Sequence, residues 1–233
     1  MSRRALVVGC LAALIAAAPA GAAAPVVEQM VVFRDGDAVT RKVAAKQVRV
    51  RIGRRRCTAG QGTALAVLVR SRIGRLGLRD FGSCSTRARD SAGLFVTSIR
   101  GERNRVQDGW VYKVGNRGAT AGAADPAGAF GRGRLKSGQR VTWFYCRLRD
   151  GGCQRTLALE ARVEPGAVSV TVRGYDDEGR GIAVEGATVG AGSVSAVTDA
   201  DGGARLALPA GRHRLVAEKE GVVRSFGERV VVP

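Results

Sequence analysis

Two runs near the middle of the chain carry their aromatic residues two positions apart. Trp110, Tyr112 and Val114 fall on one face of a strand, and Val141, Trp143 and Tyr145 do the same further on, so the two runs read as neighbouring strands sharing an apolar layer. Upstream, residues 26–33 and 38–43 flank Arg34-Asp35-Gly36-Asp37, and Asp-Gly between apolar runs predicts a hairpin. Residues 48–52 alternate valine and isoleucine with Arg49 and Arg51, which should face solvent, and Arg54-Arg55-Arg56 extends that charge. One helix is predicted. Thr63 is its N-cap, Leu65, Leu68, Val69 and Ile73 form a stripe at helical spacing that belongs in a core, and Gly74 can end it. Strands are expected over 76–81 and 94–99. The stretch 115–133 is rich in glycine and alanine and reads as a long loop, either exposed and mobile or folded over a ligand.

Residues 156–163 alternate again, and Glu164-Pro165-Gly166 reads as a linker over 164–167. From Val168 onward short β-type runs separated by Gly, Asp and Glu turns predict a small antiparallel β-sandwich without a helix. The chain of 233 residues, 45% of them apolar, is long enough for two such units.

At the N-terminus, Met1-Ser2-Arg3-Arg4 precedes an apolar run over 5–17 that suits a secretory signal and is too short to span a bilayer. Small residues at 18–22 satisfy the A-x-A rule, so residues 1–22 are expected to be a cleaved signal. The alternative is a lipoprotein acylated at Cys10, since Val7-Val8-Gly9-Cys10 resembles that box. No later stretch is long enough for a membrane helix. Export leaves Cys57, Cys84, Cys146 and Cys153, an even set in an oxidising space. RLRDGG between Cys146 and Cys153 reads as a tight turn, which pairs those two and leaves Cys57 with Cys84. Zinc is the competing reading, but there is no C-x-x-C and the one histidine is remote.

Charge divides the chain. Residues 25–163 hold 28 basic and 10 acidic side chains, whereas 164–233 hold 8 and 10, so the whole formal surplus of the mature chain lies in its first part. Such a surface attracts polyanions. The expected partners are an anionic envelope polymer or lipid surface, or an extracellular protein, with Arg49, Arg51, Arg54, Arg55 and Arg56 as the anion-binding candidates. A high arginine content is also what a GC-rich genome produces, and a solvated charge run is the bland explanation. Nucleic acid is disfavoured, because the arginines are not interleaved with exposed aromatics. Trp110, Tyr112, Trp143 and Tyr145 could stack on a planar ligand, yet their parity with valines favours packing. Asp199, Asp201 and Asp176-Asp177-Glu178 are placed as a calcium site would need, but Asp-Gly turns explain them as well. His213 lies in register with Leu215 and Ala217 and reads as structural; no G-x-S-x-G, HExxH, Walker A or Rossmann pattern occurs, so no enzyme is expected.

Gly109-Trp110-Val111-Tyr112-Lys113-Val114-Gly115-Asn116 and Leu135-Lys136-Ser137-Gly138-Gln139-Arg140-Val141-Thr142-Trp143-Phe144-Tyr145 resemble the two strand motifs of the transcobalamin C-terminal-like family. Gly115-Asn116 inverts that family's Asn-Gly, and Gln139 stands where Asp is usual. The resemblance covers about residues 27–160 and implies a β-grasp-type domain. It also implies an alternative function, a small-molecule carrier of the cobalamin type using the 115–133 loop, although the helical barrel that completes the site in eukaryotic carriers has no counterpart here. Gly186-Ala187-Thr188-Val189, Thr198-Asp199-Ala200-Asp201-Gly202-Gly203, Leu208-Pro209-Ala210-Gly211 and Glu220-Gly221 resemble the carboxypeptidase regulatory-like, transthyretin-like sandwiches, whose modules are non-catalytic. The expected fold is therefore mainly β: an α+β β-grasp-like domain with one helix over 25–163, followed by a small antiparallel β-sandwich over 168–233. The expected function is a secreted, non-enzymatic binding protein acting at the cell envelope or outside the cell through its basic surface.

Overall fold

The structure, a computed structural model, describes residues 23–233. The expected signal segment and Cys10 lie outside the described residues. The chain is mainly β with one helix. Strands β1 (Val26–Val32) and β2 (Ala38–Ala44) form the hairpin that Asp35-Gly36 predicts, with Gly36 at φ +91° and Asp35 Oδ1 accepting from the Asp37 N–H at 3.0 Å. A second hairpin follows, β3 (Val48–Ile52) with β4 (Arg55–Ala59).

Helix α1 (Ala64–Arg70) starts as the sequence predicts, the Thr63 hydroxyl accepting from the Ala66 N–H at 3.3 Å. It stops before Gly74. The Ser71 hydroxyl donates to Leu68 O at 2.6 Å and Arg72 turns to φ +51°, which ends the helix one turn early. Then come β5 (Leu76–Asp80), β6 (Leu94–Ile99) and β7 (Glu102–Arg103), a small sheet of their own. β8 (Gly109–Val114), the short β9 (Arg117–Gly118) and β10 (Arg140–Cys146) complete the main sheet in the order β2-β1-β10-β8-β9. β1 and β10 run parallel at its centre, with a hairpin outside one and α1 crossing a face, which is the β-grasp-like arrangement. Val31 lies opposite Trp143, and Trp143 opposite Tyr112, so the aromatic runs are neighbours as expected.

The expected linker is a turn. β11 (Thr156–Glu164) pairs along its whole length with β12 (Ala167–Tyr175), from Thr156 opposite Tyr175 to Glu164 opposite Ala167, so Pro165-Gly166 is the tip of a hairpin and β11 belongs to the sandwich. Proline presets the first turn position and Gly166 supplies φ +76°, a turn pair as readily as a linker pair. The rest of the sandwich is β13 (Gly181–Ala183), β14 (Thr188–Ala191), β15 (Val194–Val197), β16 (Gly203–Leu206), β17 (Gly211–Glu218) and β18 (Glu228–Val232). One sheet joins β11, β12, β13 and β16, and the other runs β15-β14-β17-β18. Val168, Val170, Val172, Val189, Leu206 and Leu215 fill the space between them.

The main sheet is covered on both faces. One carries Val27, Val31, Trp110, Tyr112, Val141 and Trp143 against α1 and the loops. The other carries Met30, Val32, Phe144 and Val111 against Val223 and Phe226 of the sandwich. Lys113 lies on this second face, 1% exposed, with Nζ donating to Asp176 O at 2.8 Å and Tyr175 O at 3.0 Å and pairing with Asp177 at 3.3 Å. The same Asp177 accepts from the Cys153 N–H through its carboxylate, and its carbonyl accepts from the Gly118 N–H at 2.8 Å. A Cβ at Gly118 would stand 2.9 Å from that carbonyl, so only glycine allows the approach. Arg140 bridges Glu28 and Glu228, adding a second tie between the units.

Burial pushes the Lys113 pKa below the usual 10.5, and the Asp177 carboxylate opposes the shift. The unfolded chain therefore binds this proton more tightly than the folded chain. Stability from this site rises as pH climbs from the folded pKa towards 10.5. Lys113→Met should cost about 2–3 kcal/mol by leaving the two carbonyls without their donor and Asp177 without its cation. Denaturant titrations should show that deficit widening as pH rises towards 10.5; a deficit that shrinks contradicts the assignment.

Candidate functional site

The β3–β4 hairpin sorts its five arginines by register. Val48, Val50 and Ile52 alternate with Arg49 and Arg51, and Val50 and its partner Cys57 point into the core. Arg51 is directly opposite Arg56 and Arg49 opposite Thr58, so Arg49, Arg51 and Arg56 share the outer face. Arg54 sits at the tip beside Gly53, whose φ of +57° makes the two-residue turn. All four are exposed and none makes an ion pair among the described residues. Arg55 differs: it lies on the inner side of the tip and pairs with Asp80 at 3.3 Å, although its guanidinium stays mostly in solvent and the pair contributes under about 1 kcal/mol. Like charges facing each other across a strand pair destabilise it. The hairpin holds its shape for other reasons.

Those reasons are the valines beneath it and the Cys57–Cys84 disulfide, whose Cα atoms are 4.9 Å apart. The Thr58 N–H donates to Ser85 O at 2.8 Å, and Asp80 Oδ1 accepts from the Ser83 and Cys84 N–H groups, so the loop after β5 is tied to β4. On the chain-entropy account a closed loop of this length contributes about 3.6 kcal/mol, and the shorter Cys146–Cys153 loop about 2.5 kcal/mol. Both pairings are those the spacing favours. Disulfides persist in oxidising compartments, which suits a non-cytoplasmic chain, and among the described residues no helix is long and apolar enough to cross a membrane.

Beside the hairpin stands a feature the sequence did not single out. Phe81, just past β5, and Phe95 on β6 are 63% and 45% exposed, with ring centroids 6.1 Å apart and planes at 69°. The Arg79 guanidinium lies 4.8 Å from the Phe81 centroid. Phe95 sits on the outward face of β6, whose Leu94, Val96 and Ile99 are buried, and the alternation within 94–99 was the signal that could have shown it.

The aromatic candidates occupy the core. Tyr112 stacks on Trp143 at 5.0 Å, and Trp110 meets both Tyr145 and Phe33 edge to face at 5.8 Å. Trp110 Nε1 donates to Glu102 O at 2.8 Å, the Tyr145 hydroxyl to Arg103 O at 3.1 Å and the Tyr112 hydroxyl to Ala121 O at 2.9 Å. Burial, reinforced by Asp125, pushes the Tyr112 pKa well above that of a free tyrosine. Trp143 Nε1 and both amide atoms of Gln29 are buried on this face without a hydrogen-bond partner among the described residues. A half-open cavity of about 210 Å³ lies against Trp110, Tyr112 and Trp143, walled by Leu94, Phe95, Val96, Ala119 and residues 121–123.

The 115–133 loop is folded onto the protein itself. Ala123 O accepts from the Leu65 N–H at 2.8 Å, filling a first-turn position of α1, and Thr120 and Ala121 both donate to Ala129 O. Ala123, Ala124 and Ala129 are buried, small enough to let the backbone pack close. The loop is therefore partly buried: residues 115–117 and 131–133 stay exposed, while Ala123, Ala124, Gly128 and Ala129 pack inward. The acidic candidates are likewise occupied: Asp199 Oδ1 accepts from the N–H groups of Asp201 and Gly203, Asp176 pairs with Arg180, and Asp177 serves Lys113. No group of three or more metal-ligating side chains is gathered among the described residues. His213 is half-buried on β17, its Nε2 2.8 Å from Pro209 O.

Fold and surface define a mainly-β protein of two packed units, one basic and one near neutral. No known protein-family model, curated protein or solved structure matches the chain.

Proposed function

We propose that this is an exported, non-enzymatic binding protein that holds an anionic partner at the cell envelope or outside the cell through the β3–β4 hairpin. The observation that carries the reading is the set of four unpaired arginines, Arg49, Arg51, Arg54 and Arg56, displayed together on a strand pair that a disulfide fixes. Folding alone gives no reason to place Arg51 against Arg56. A polyanion does, because each phosphate, sulfate or carboxylate it brings relieves that repulsion and releases counterions. The two disulfides and the basic, apolar leader support export. The resemblance to transthyretin-like modules supports a non-catalytic second unit.

The reading predicts retention on a heparin column that about 0.5 M salt abolishes, since the Debye length then falls to roughly 4 Å. Arg49→Ala/Arg51→Ala/Arg56→Ala should elute well before a charge-matched control, Arg162→Ala/Arg212→Ala/Arg229→Ala, whose exposed arginines lie elsewhere. Equal elution of the two triples removes the hairpin from the account.

A second reading, a small-molecule carrier, is favoured by the half-open cavity against Trp110, Tyr112 and Trp143. At about 210 Å³ it takes a single ring, and a corrinoid exceeds it several-fold. Acetophenone should then raise the melting temperature of the wild type but not of Ala121→Phe, which fills the cavity. No response in the wild type ends this reading.

A further inference from the structure

We infer that the anionic partner is a lipid bilayer surface, and that Phe81 and Phe95 enter it while the arginines meet its headgroups. The inference rests on the basic-surface reading above. It begins from two large apolar rings that the fold leaves out of its core, one 63% and the other 45% exposed and in contact with each other. Their position is fixed. Phe81 N–H donates to Gly93 O at 3.2 Å and Gly93 N–H to Ser83 Oγ at 2.8 Å, which holds the two segments side by side. The Cys57–Cys84 disulfide and the Arg55–Asp80 pair join the same segment to the arginine hairpin. Cations and aromatic rings therefore share one corner of the molecule, built as one unit.

The chemistry discriminates among polyanions. A soluble wall polymer offers charge to the arginines and nothing to two phenyl rings. A bilayer interface offers both, phosphate for guanidinium and acyl chain for the rings, and this combination of aromatic and basic side chains is how peripheral proteins hold membranes. Single-stranded nucleic acid would need an open ring face on which a base can stack. Here Arg79 lies over Phe81, and the rings meet edge to face. Arg79 belongs in the headgroup layer, where it accompanies the ring to the membrane.

The test is co-sedimentation with vesicles of phosphatidylglycerol and phosphatidylcholine, beside vesicles of phosphatidylcholine alone, a heparin column and a fluorescent oligonucleotide. The wild type should pellet with the anionic vesicles and keep a salt-resistant fraction at about 0.5 M NaCl, where screening removes the purely coulombic part. Phe81→Ser/Phe95→Ser should lose at least about tenfold in partitioning, and the salt-resistant fraction with it, while its heparin retention is unchanged. Phe81→Ser alone, at the more exposed ring, should show a several-fold loss at an unchanged melting temperature, which separates membrane entry from folding. Vesicle binding by the double variant equal to the wild type overturns the inference. So does heparin retention without vesicle binding, and so does phenylalanine-dependent binding of the oligonucleotide in place of vesicles. In these three cases the basic-surface reading survives; a wild type that ignores both heparin and anionic vesicles ends both.

Discussion

A lysine buried between two β structures holds this molecule together. Lys113 sits on the strand that carries Trp110 and Tyr112, but on the opposite face, and reaches the carbonyls of Tyr175 and Asp176 and the carboxylate of Asp177. An ammonium removed from water is costly unless its protons are taken up, and here the turn after β12 supplies acceptors for them. Around it, Met30, Val32 and Phe144 meet Val223 and Phe226, so the central sheet has an apolar layer on each side. The sandwich is thus the second cover of the β-grasp sheet, and the sheet is incomplete without it.

This arrangement assigns different work to the two units. The C-terminal unit, near electrical balance, spends its acidic groups on internal ties: Asp177 on Lys113, Glu228 on Arg140, Asp176 on Arg180. The N-terminal unit spends few of its arginines that way. Its hairpin displays charge on a frame set by valines and a disulfide, and that rigidity lets like charges stay close without the strands parting. The exposed phenylalanines extend the same surface with a second kind of attraction.

Strand parity located the Trp110–Tyr112 and Trp143–Tyr145 layer and the outward face of β3, and the Asp-Gly turn signal located the Asp35-Gly36 hairpin, because each depends on local spacing. Thr63 was legible as an N-cap for the same reason. Lys113 was not, since a lysine alternating with aromatics reads as solvent-facing. The signal was in its neighbours: Val111, Met30, Val32 and Phe144 are apolar at the opposite parity, which marks strands buried on both faces. Glu164-Pro165-Gly166 misled because a turn and a linker share that composition, and only the nine-residue pairing of β11 with β12 separates them. The buried part of the 115–133 loop was not legible because alanine and glycine promise little burial, whereas Ala123 and Ala124 pack close and the Ala123 carbonyl serves the helix. The basic site was half legible: the sequence marked all five arginines, but not that Arg55 is engaged by Asp80, nor that Phe81 and Phe95 stand beside them.

If the sheet and the sandwich are one cooperative body, they must unfold together. Both tryptophans belong to the sheet, so their fluorescence follows that unit, while hydrogen exchange in residues 167–232 follows the sandwich. Equilibrium unfolding of the oxidised protein in guanidinium should give one midpoint by both probes. A sandwich that stays protected after the tryptophan signal is lost, or opens well before it, would contradict the account.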